Sequence, residues 1–293
     1  MIDIICCFND IANSDWDKQN KSFKRVHNKS LDYCDQFIAL YYSIKKNWSF
    51  DYTIYLCHSL PISNETYNKL NKLDIKLIQI ESPNPENFPY LIRSNSWKLK
   101  TKGTHKLYLD TDMIALKTPV FDLSKDFLVM PCNNNILFNT DVSDNFSKII
   151  DHPIKTWKYE NNILNKMWMG QLTSKEYIEQ NYFPHINGGA ILMKNELSEK
   201  FGKSWWQIFS KLQPLVDDLR PLLFTDGLTI TKMSSNWSIF ELGFNFFDSG
   251  EMGPQLDSKI FNKDAISLYH YVTDKNLTSR FGEYFEVLNE ETK

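Results

Sequence analysis

Short apolar runs alternate with stretches of helical spacing through the first third of the chain. That alternation restricts it to an α/β architecture, a mixed but mostly parallel central sheet flanked by helices on both faces. The runs Ile2 to Phe8, Tyr52 to Cys57, Ile75 to Ile80 and Lys106 to Asp110 have the length and composition of strands. Between them, Ser30 is a fitting N-cap for a helix whose apolar positions Leu31, Cys34, Ile38 and Tyr41 keep helical spacing. Glu65 to Leu73 and Arg93 to Thr101 read as further helices, and Ser82-Pro83-Asn84-Pro85 as a break. The polar stretch Asn9 to Asn28 reads as a surface loop. In such sheets ligands bind beyond the carboxyl ends of the strands, so chemistry is expected just after Phe8 and Leu109.

The rest of the chain is less regular. Asn133 to Tyr182 is Asn-rich and loosely patterned, with scattered aromatic residues. Ala190 to Met193 and Ile266 to Tyr271 read as strands, and Glu196 to Leu212 as an amphipathic helix with Leu197, Phe201, Trp205, Ile208 and Leu212 on one stripe. No internal repeat or long linker divides the chain, which points to one domain over residues 1–293.

With 293 residues, 42% of them hydrophobic, the chain can bury a sizeable core. Its formal net charge of -3 speaks against nucleic acid as a partner. The five cysteines show no CxxC pair and no zinc spacing, so they read as buried reduced thiols. No apolar run is long enough to span a bilayer, and the N-terminus lacks the pattern of a signal peptide. A cytoplasmic protein is expected.

The segment richest in chemistry is Lys106-Leu-Tyr-Leu-Asp-Thr-Asp-Met-Ile-Ala-Leu. An apolar strand ends in two carboxylates one residue apart, and in extended backbone alternate side chains point the same way. Asp110 and Asp112 can therefore converge on one hard divalent cation, Mn²⁺ or Mg²⁺. A DxD triplet by itself also fits a solvated loop. The apolar residues on both sides of this one favour a site.

Leu107 to Ile114 resembles the LYLDxDxxv core of family 8 glycosyltransferases, retaining enzymes of the GT-A fold. Three other segments follow in the family's order. Arg93 stands where the donor-binding arginine is expected, His185-Ile-Asn-Gly-Gly-Ala-Ile-Leu-Met-Lys-Asn resembles the FNxGvlLiN segment, and Leu268-Tyr-His-Tyr resembles the vvHf strand. The matches span roughly Ile2 to Lys275. The resemblance implies a GT-A fold with a nucleotide-binding half over residues 1–125 and an acceptor-side half over residues 126–285. It further implies transfer of a hexose from a nucleoside diphosphate sugar, UDP-linked above all, to a hydroxyl of a glycan or other acceptor.

The resemblance also implies roles for individual residues. His270 would join Asp110 and Asp112 as the third metal ligand. Phe8, Asn9 and Asp10 would grip the base and ribose, with Thr111 between the two carboxylates also on the donor. Arg93 would face the diphosphate or donor sugar, which suits a planar guanidinium. Asn187, with Gly188 and Gly189, would meet sugar hydroxyls through an amide and closely approaching backbone. Asp226, in Phe224-Thr-Asp-Gly-Leu, would face the donor sugar near the reacting carbon. Lys275 would touch phosphate, although the family's glycine and Pro-Trp around that lysine are missing and the spacing is one residue short.

Each residue also has a plainer reading: a half-buried histidine for His270, a strand-end turn for Asn9 and Asp10, a surface salt bridge for Arg93. The plain alternatives are a sharp turn for Asn187 to Gly189 and a helix N-terminal carboxylate for Asp226. Trp205 is expected in the core and Trp237 near an acceptor. Trp168 and Trp206 complete a group of tryptophans that could serve as a stacking platform. Two other functions fit the class, a sugar-1-phosphate nucleotidyltransferase and a catalytically inactive scaffold. The first needs a glycine-rich N-terminal loop, and Cys7 to Asn13 contains no glycine.

Overall fold

The computed structural model describes residues 1–8, 33–82, 91–131, 141–151, 166–167, 171–179, 186–215, 220–244, 246–247, 263–271 and 283–284. The N-terminal part runs β1 (Ile2–Cys7), α1 (Tyr33–Asn47), β2 (Tyr52–His58), α2 (Asn64–Leu70), β3 (Lys76–Gln79), α3 (Ile92–Ser96), β4 (His105–Leu109) and β5 (Met113–Ala115). It continues with β6 (Phe127–Pro131), α4 (Asp141–Ile150), α5 (Ser174–Glu179), β7 (Ile186–Lys194) and α6 (Asn195–Leu212). Then come α7 (Arg220–Met233), β8 (Trp237–Ile239), β9 (Phe246–Phe247) and β10 (Leu268–His270).

Seven strands form one sheet in the order β3-β2-β1-β4-β7-β6-β8. β1 pairs in parallel with both β2 and β4, whereas β7 runs antiparallel to β4 and β6. The chain therefore moves outward from β1 through β2 and β3, then returns to the other side of β1 for β4. That reversal opens a crevice beyond the carboxyl ends of β1 and β4, the expected place for a ligand. A smaller sheet, β5-β10-β9, sits at this end.

Strand periodicity builds a core on each face of the large sheet. Ile4, Leu107 and Leu192 pack on one side with Phe37, Ile38 and Ile44 of α1. Ile5, Tyr108 and Ile191 pack on the other with Phe201, Trp205 and Phe209 of α6. The stripe expected on α6 is buried at Phe201, Trp205, Ile208 and Leu212. Helix α3 closes against α6 at Gly202, where a Cβ would stand 2.6 Å from the Ser94 carbonyl oxygen.

Several boundaries differ from the sequence reading. The helix read over Arg93 to Thr101 stops at Ser96, where the Lys98 and Leu99 amides donate to the carbonyls of Asn95 and Ser96, three residues back; beyond it, the carbonyls of Trp97 and Leu99 accept hydrogen bonds from the buried Lys106 ammonium. Lys106 also donates to Ser198 Oγ at 2.8 Å, and burial lowers its pKa to about 8. The helix read from Glu65 begins at Asn64, capped by Ser63 Oγ on the Thr66 amide. The loosely patterned region contains α4 and α5, while β6 had no sequence reading and α7 only the suggestion of a helix start at Asp226. The Ser30 cap and the loop reading of Asn9 to Asn28 lie outside the described residues.

Three of the four described cysteines, Cys6, Cys34 and Cys57, are buried; Cys7 is half-buried, and all four are thiols outside any disulfide. Among the described residues, no helix is long and apolar enough to cross a membrane.

Candidate metal and donor site

β4 is buried along its whole length and delivers Asp110 at its end. The Asp110 amide donates to the Gly189 carbonyl at 2.8 Å, so the start of β7 fixes where that carboxylate emerges. The chain then enters β5, whose Met113 pairs with His270 on β10. The Tyr271 amide donates to the Asp112 carbonyl at 3.1 Å and locks this junction. Two sheets thus bring together residues from opposite ends of the sequence.

The ligand atoms of Asp110, Asp112 and His270 all lie within 4.8 Å of one another. His270 Nε2 is 3.1 Å from Asp112 Oδ1 and 4.0 Å from Asp110 Oδ2. The His270 side chain is 4% exposed and that of Asp110 is 36% exposed, so the cluster is backed by protein and open on one side. Burial and the neighbouring Asp112 carboxylate push the Asp110 carboxyl up, against the opposing pull of Arg93 and His270. Two crowded carboxylates and an imidazole on an open face fit a hard divalent cation, which would relieve their repulsion. Gly189 leaves the needed room: a Cβ there would be 2.6 Å from His270 Cε1 and 2.9 Å from Asp110 Oδ2.

A second group stands beside the first. Arg93 Nη2 reaches Asp226 Oδ2 at 3.2 Å and also donates to the Gly188 carbonyl. Its guanidinium lies over the Tyr108 ring, 4.3 Å from the centroid. Trp205 Nε1 donates to the other oxygen of Asp226 at 2.8 Å. Burial pushes the Asp226 carboxyl up, with Arg93 and the Trp205 hydrogen bond working against it. For Arg93, burial disfavours the charge, but Asp226, Tyr108, Asp110 and Cys7 together outweigh it, and the guanidinium is held above its ordinary value. A Cβ on Gly188 would collide with Asp226 Oδ2 and approach both Arg93 Nη atoms.

The residues named from sequence therefore divide clearly. Asp110, Asp112 and His270 come together, and Arg93, Gly188, Gly189 and Asp226 surround them. Asn187 Oδ1 accepts from the Gly189 amide at 2.9 Å, inside β7 rather than in a sharp turn. Asp226 lies in the interior of α7, away from its first turn. Arg93 is not in a surface salt bridge, since its side chain and that of Asp226 are 15% and 3% exposed. Thr111 is buried. Phe8 is buried against His58 at the end of β1. Asn9, Asp10, Lys275 and Trp168 lie outside the described residues.

Trp205 is in the core as expected, but its indole N–H also holds Asp226. Trp237 is half-buried with its ring edge-on to Tyr177, and Trp206 stacks on Phe209. Sequence reading missed Tyr108, although strand parity alone places it on the same side as Asp110. No local pattern announced the Trp205 contact with Asp226.

No family model matches the sequence, and no curated protein matches it at a significant level. Solved structures do. The galactosyltransferase LgtC, in complex with donor and acceptor sugar analogues, is similar with a TM-score of 0.54 and 11% identity, over 97% of this chain and 95% of that one. The bifunctional glycosyltransferase WbbM is similar with a TM-score of 0.52 and 10% identity, over 97% of this chain and 49% of that one. The glycosyltransferase GlyE of Streptococcus pneumoniae gives 0.51 and 12%, over 99% of this chain and 62% of that one. The likeness extends over almost the whole of this chain: the protein has the GT-A glycosyltransferase fold.

Proposed function

We propose that the protein is a metal-dependent glycosyltransferase that moves a hexose from a UDP-linked sugar to a hydroxyl of a glycan or other acceptor, with retention of configuration. The observation that carries this reading is the convergence of Asp110, Asp112 and His270 at the carboxyl end of β4. The sugar analogues bound to LgtC support a donor and an acceptor as its ligands. Mn²⁺ or Mg²⁺ held by these three residues would supply charge stabilisation for a departing diphosphate.

The chain's own residues account for the rest. Arg93 offers a positive charge next to the acidic cluster, held in place by Asp226, the Gly188 carbonyl and the face of Tyr108. That preorganisation reduces reorganisation when negative charge develops. Gly188 and Gly189 keep β7 free of side chains where the two groups meet, so Asp226 and Arg93 can close over Gly188 while His270 and Asp110 close over Gly189. Asn187 is tied to the Gly189 amide through Oδ1, so its NH₂ is the end of that side chain that would donate to a sugar hydroxyl. Asp226 is the carboxylate nearest Arg93 and sets its orientation.

A thermal-shift titration with UDP, GDP, CMP and ADP, each with and without Mn²⁺, tests the reading. A ligand that binds only the folded state raises stability by mass action. Stabilisation by UDP that depends on Mn²⁺ is expected, and UDP-sugar turnover followed by proton NMR of the anomeric product then reads the stereochemistry. No response to any nucleotide in either condition would turn the reading to a scaffold without catalysis.

A further inference from the structure

Cys7 and Cys57 are direct partners in the parallel register of β1 and β2. They lie at the ends of the two strands, where the Phe8 amide donates to the Cys57 carbonyl at 2.9 Å. In-register side chains of neighbouring strands point to the same face, and both thiols pack on the core that contains Trp97 and Tyr108. Cys6 and Cys34 pack into the core on the opposite face. Neighbouring strands are about 4.8 Å apart, inside the roughly 4.4–6.8 Å between Cα atoms that a disulfide spans.

The two thiols also differ in access. Cys57 is fully buried, while Cys7 is half-buried and open to a small oxidant. A hydrogen bond to Cys7 and burial push the Cys57 thiol up, so Cys57 keeps its proton while it faces its neighbour.

We propose that Cys7 and Cys57 form an oxidisable dithiol that hydroperoxides convert to an intramolecular disulfide. The Cys7 sulfur attacks the O–O bond, which breaks; hydrogen peroxide leaves one oxygen on sulfur as a sulfenic acid and the other as water. The Cys57 sulfur then displaces that hydroxyl, its own proton departing with it as a second water. One S–S bond forms, two thiols are oxidised and one peroxide is reduced. This bond closes the ends of β1 and β2 directly below Phe8.

The test is peroxide treatment of the folded full-length chain, followed by tryptic mapping without reductant. The expected product loses two hydrogens, links the peptides carrying Cys7 and Cys57, and is reversed by dithiothreitol. Cys6→Ala should still form the link, which separates Cys7 from its neighbour on the same peptide. Cys7→Ser should not form it, and Cys57→Ser should leave a Cys7 sulfenic acid that dimedone traps. Fragmentation spectra of the wild-type link make the assignment if a variant does not fold. Linkage through another cysteine, or oxidation of Cys7 to sulfinic acid with no link to Cys57, would overturn the proposal. Because the readout is a mass, its failure is separate from any failure of glycosyl transfer.

Discussion

His270 Nε2 lies 3.1 Å from Asp112 Oδ1, although the two residues are 158 positions apart in sequence. The antiparallel pairing of β5 with β10 creates this contact, and it turns two carboxylates at a strand end into a three-residue site. His270→Ala and Asp112→Asn should each weaken Mn²⁺ binding by more than the roughly 10- to 100-fold that follows loss of an outer partner. Calorimetric Mn²⁺ titration in the presence of UDP measures it. Wild-type affinity in His270→Ala would remove the histidine from the ligand set.

Gly189→Ala tests whether the site needs backbone at this position. The added methyl would be 2.6 Å from His270 Cε1 and 2.9 Å from both Asp110 Oδ2 and Met113 Cε. Three buried or half-buried groups would have to shift, costing about 1–3 kcal/mol of stability by overpacking. Urea unfolding should record that loss. The Mn²⁺-dependent stabilisation by UDP should fall with it, since two of the displaced groups, His270 and Asp110, are proposed ligands.

The pair formed by Arg93 and Asp226 predicts a separation of stability from function. Asp226→Ala removes the acceptor of both Arg93 and the Trp205 indole. Breaking a buried pair from one side costs roughly 3–5 kcal/mol. Replacing both, as Arg93→Met with Asp226→Leu, should recover much of that loss in urea unfolding. UDP-sugar cleavage should remain absent in the double variant. Recovery of activity along with stability would show that the pair only supports packing.

His105 gives the chain a pH dependence of known sign. Burial holds its folded-state pKa below the ordinary 6.5, with Lys194 acting the same way and the Leu123 carbonyl and Glu196 opposing. Below about pH 6.5 the unfolded chain binds a proton that the folded chain refuses. The His105 contribution is therefore present in full above that pH and is lost as pH falls toward the folded-state pKa. His105→Gln should flatten the fall in urea-unfolding free energy between about pH 7 and about pH 5. An unchanged slope would place the proton uptake on other groups.

The legible parts of the site were those with a local rule behind them. Asp110 and Asp112 stood out because an apolar strand must end somewhere and two carboxylates one residue apart share a side. The buried stripe of α6 followed from helical spacing, and its start at Asn195 directly after β7 differs little from the Glu196 expected. Strand β6, helix α7 and the shortened α3 were not legible. Residues Arg220–Met233 show little amphipathic spacing because Leu228 and Ile230 on different sides of α7 are both buried. Helix α3 ends early in a tightened turn, and a distant lysine, Lys106, ties down the carbonyls of Trp97 and Leu99 that follow it.

The sequence by itself determined the α/β class and the strand that carries the acidic pair, because periodicity and spacing act over a few neighbouring residues. Only the tertiary structure decided that Tyr108 lies under Arg93, that Trp205 holds Asp226 and that Gly188 and Gly189 fit between the two groups. Those contacts join α3, β4, β7, α6 and α7, and their geometry follows from sheet order and close packing rather than from any local pattern.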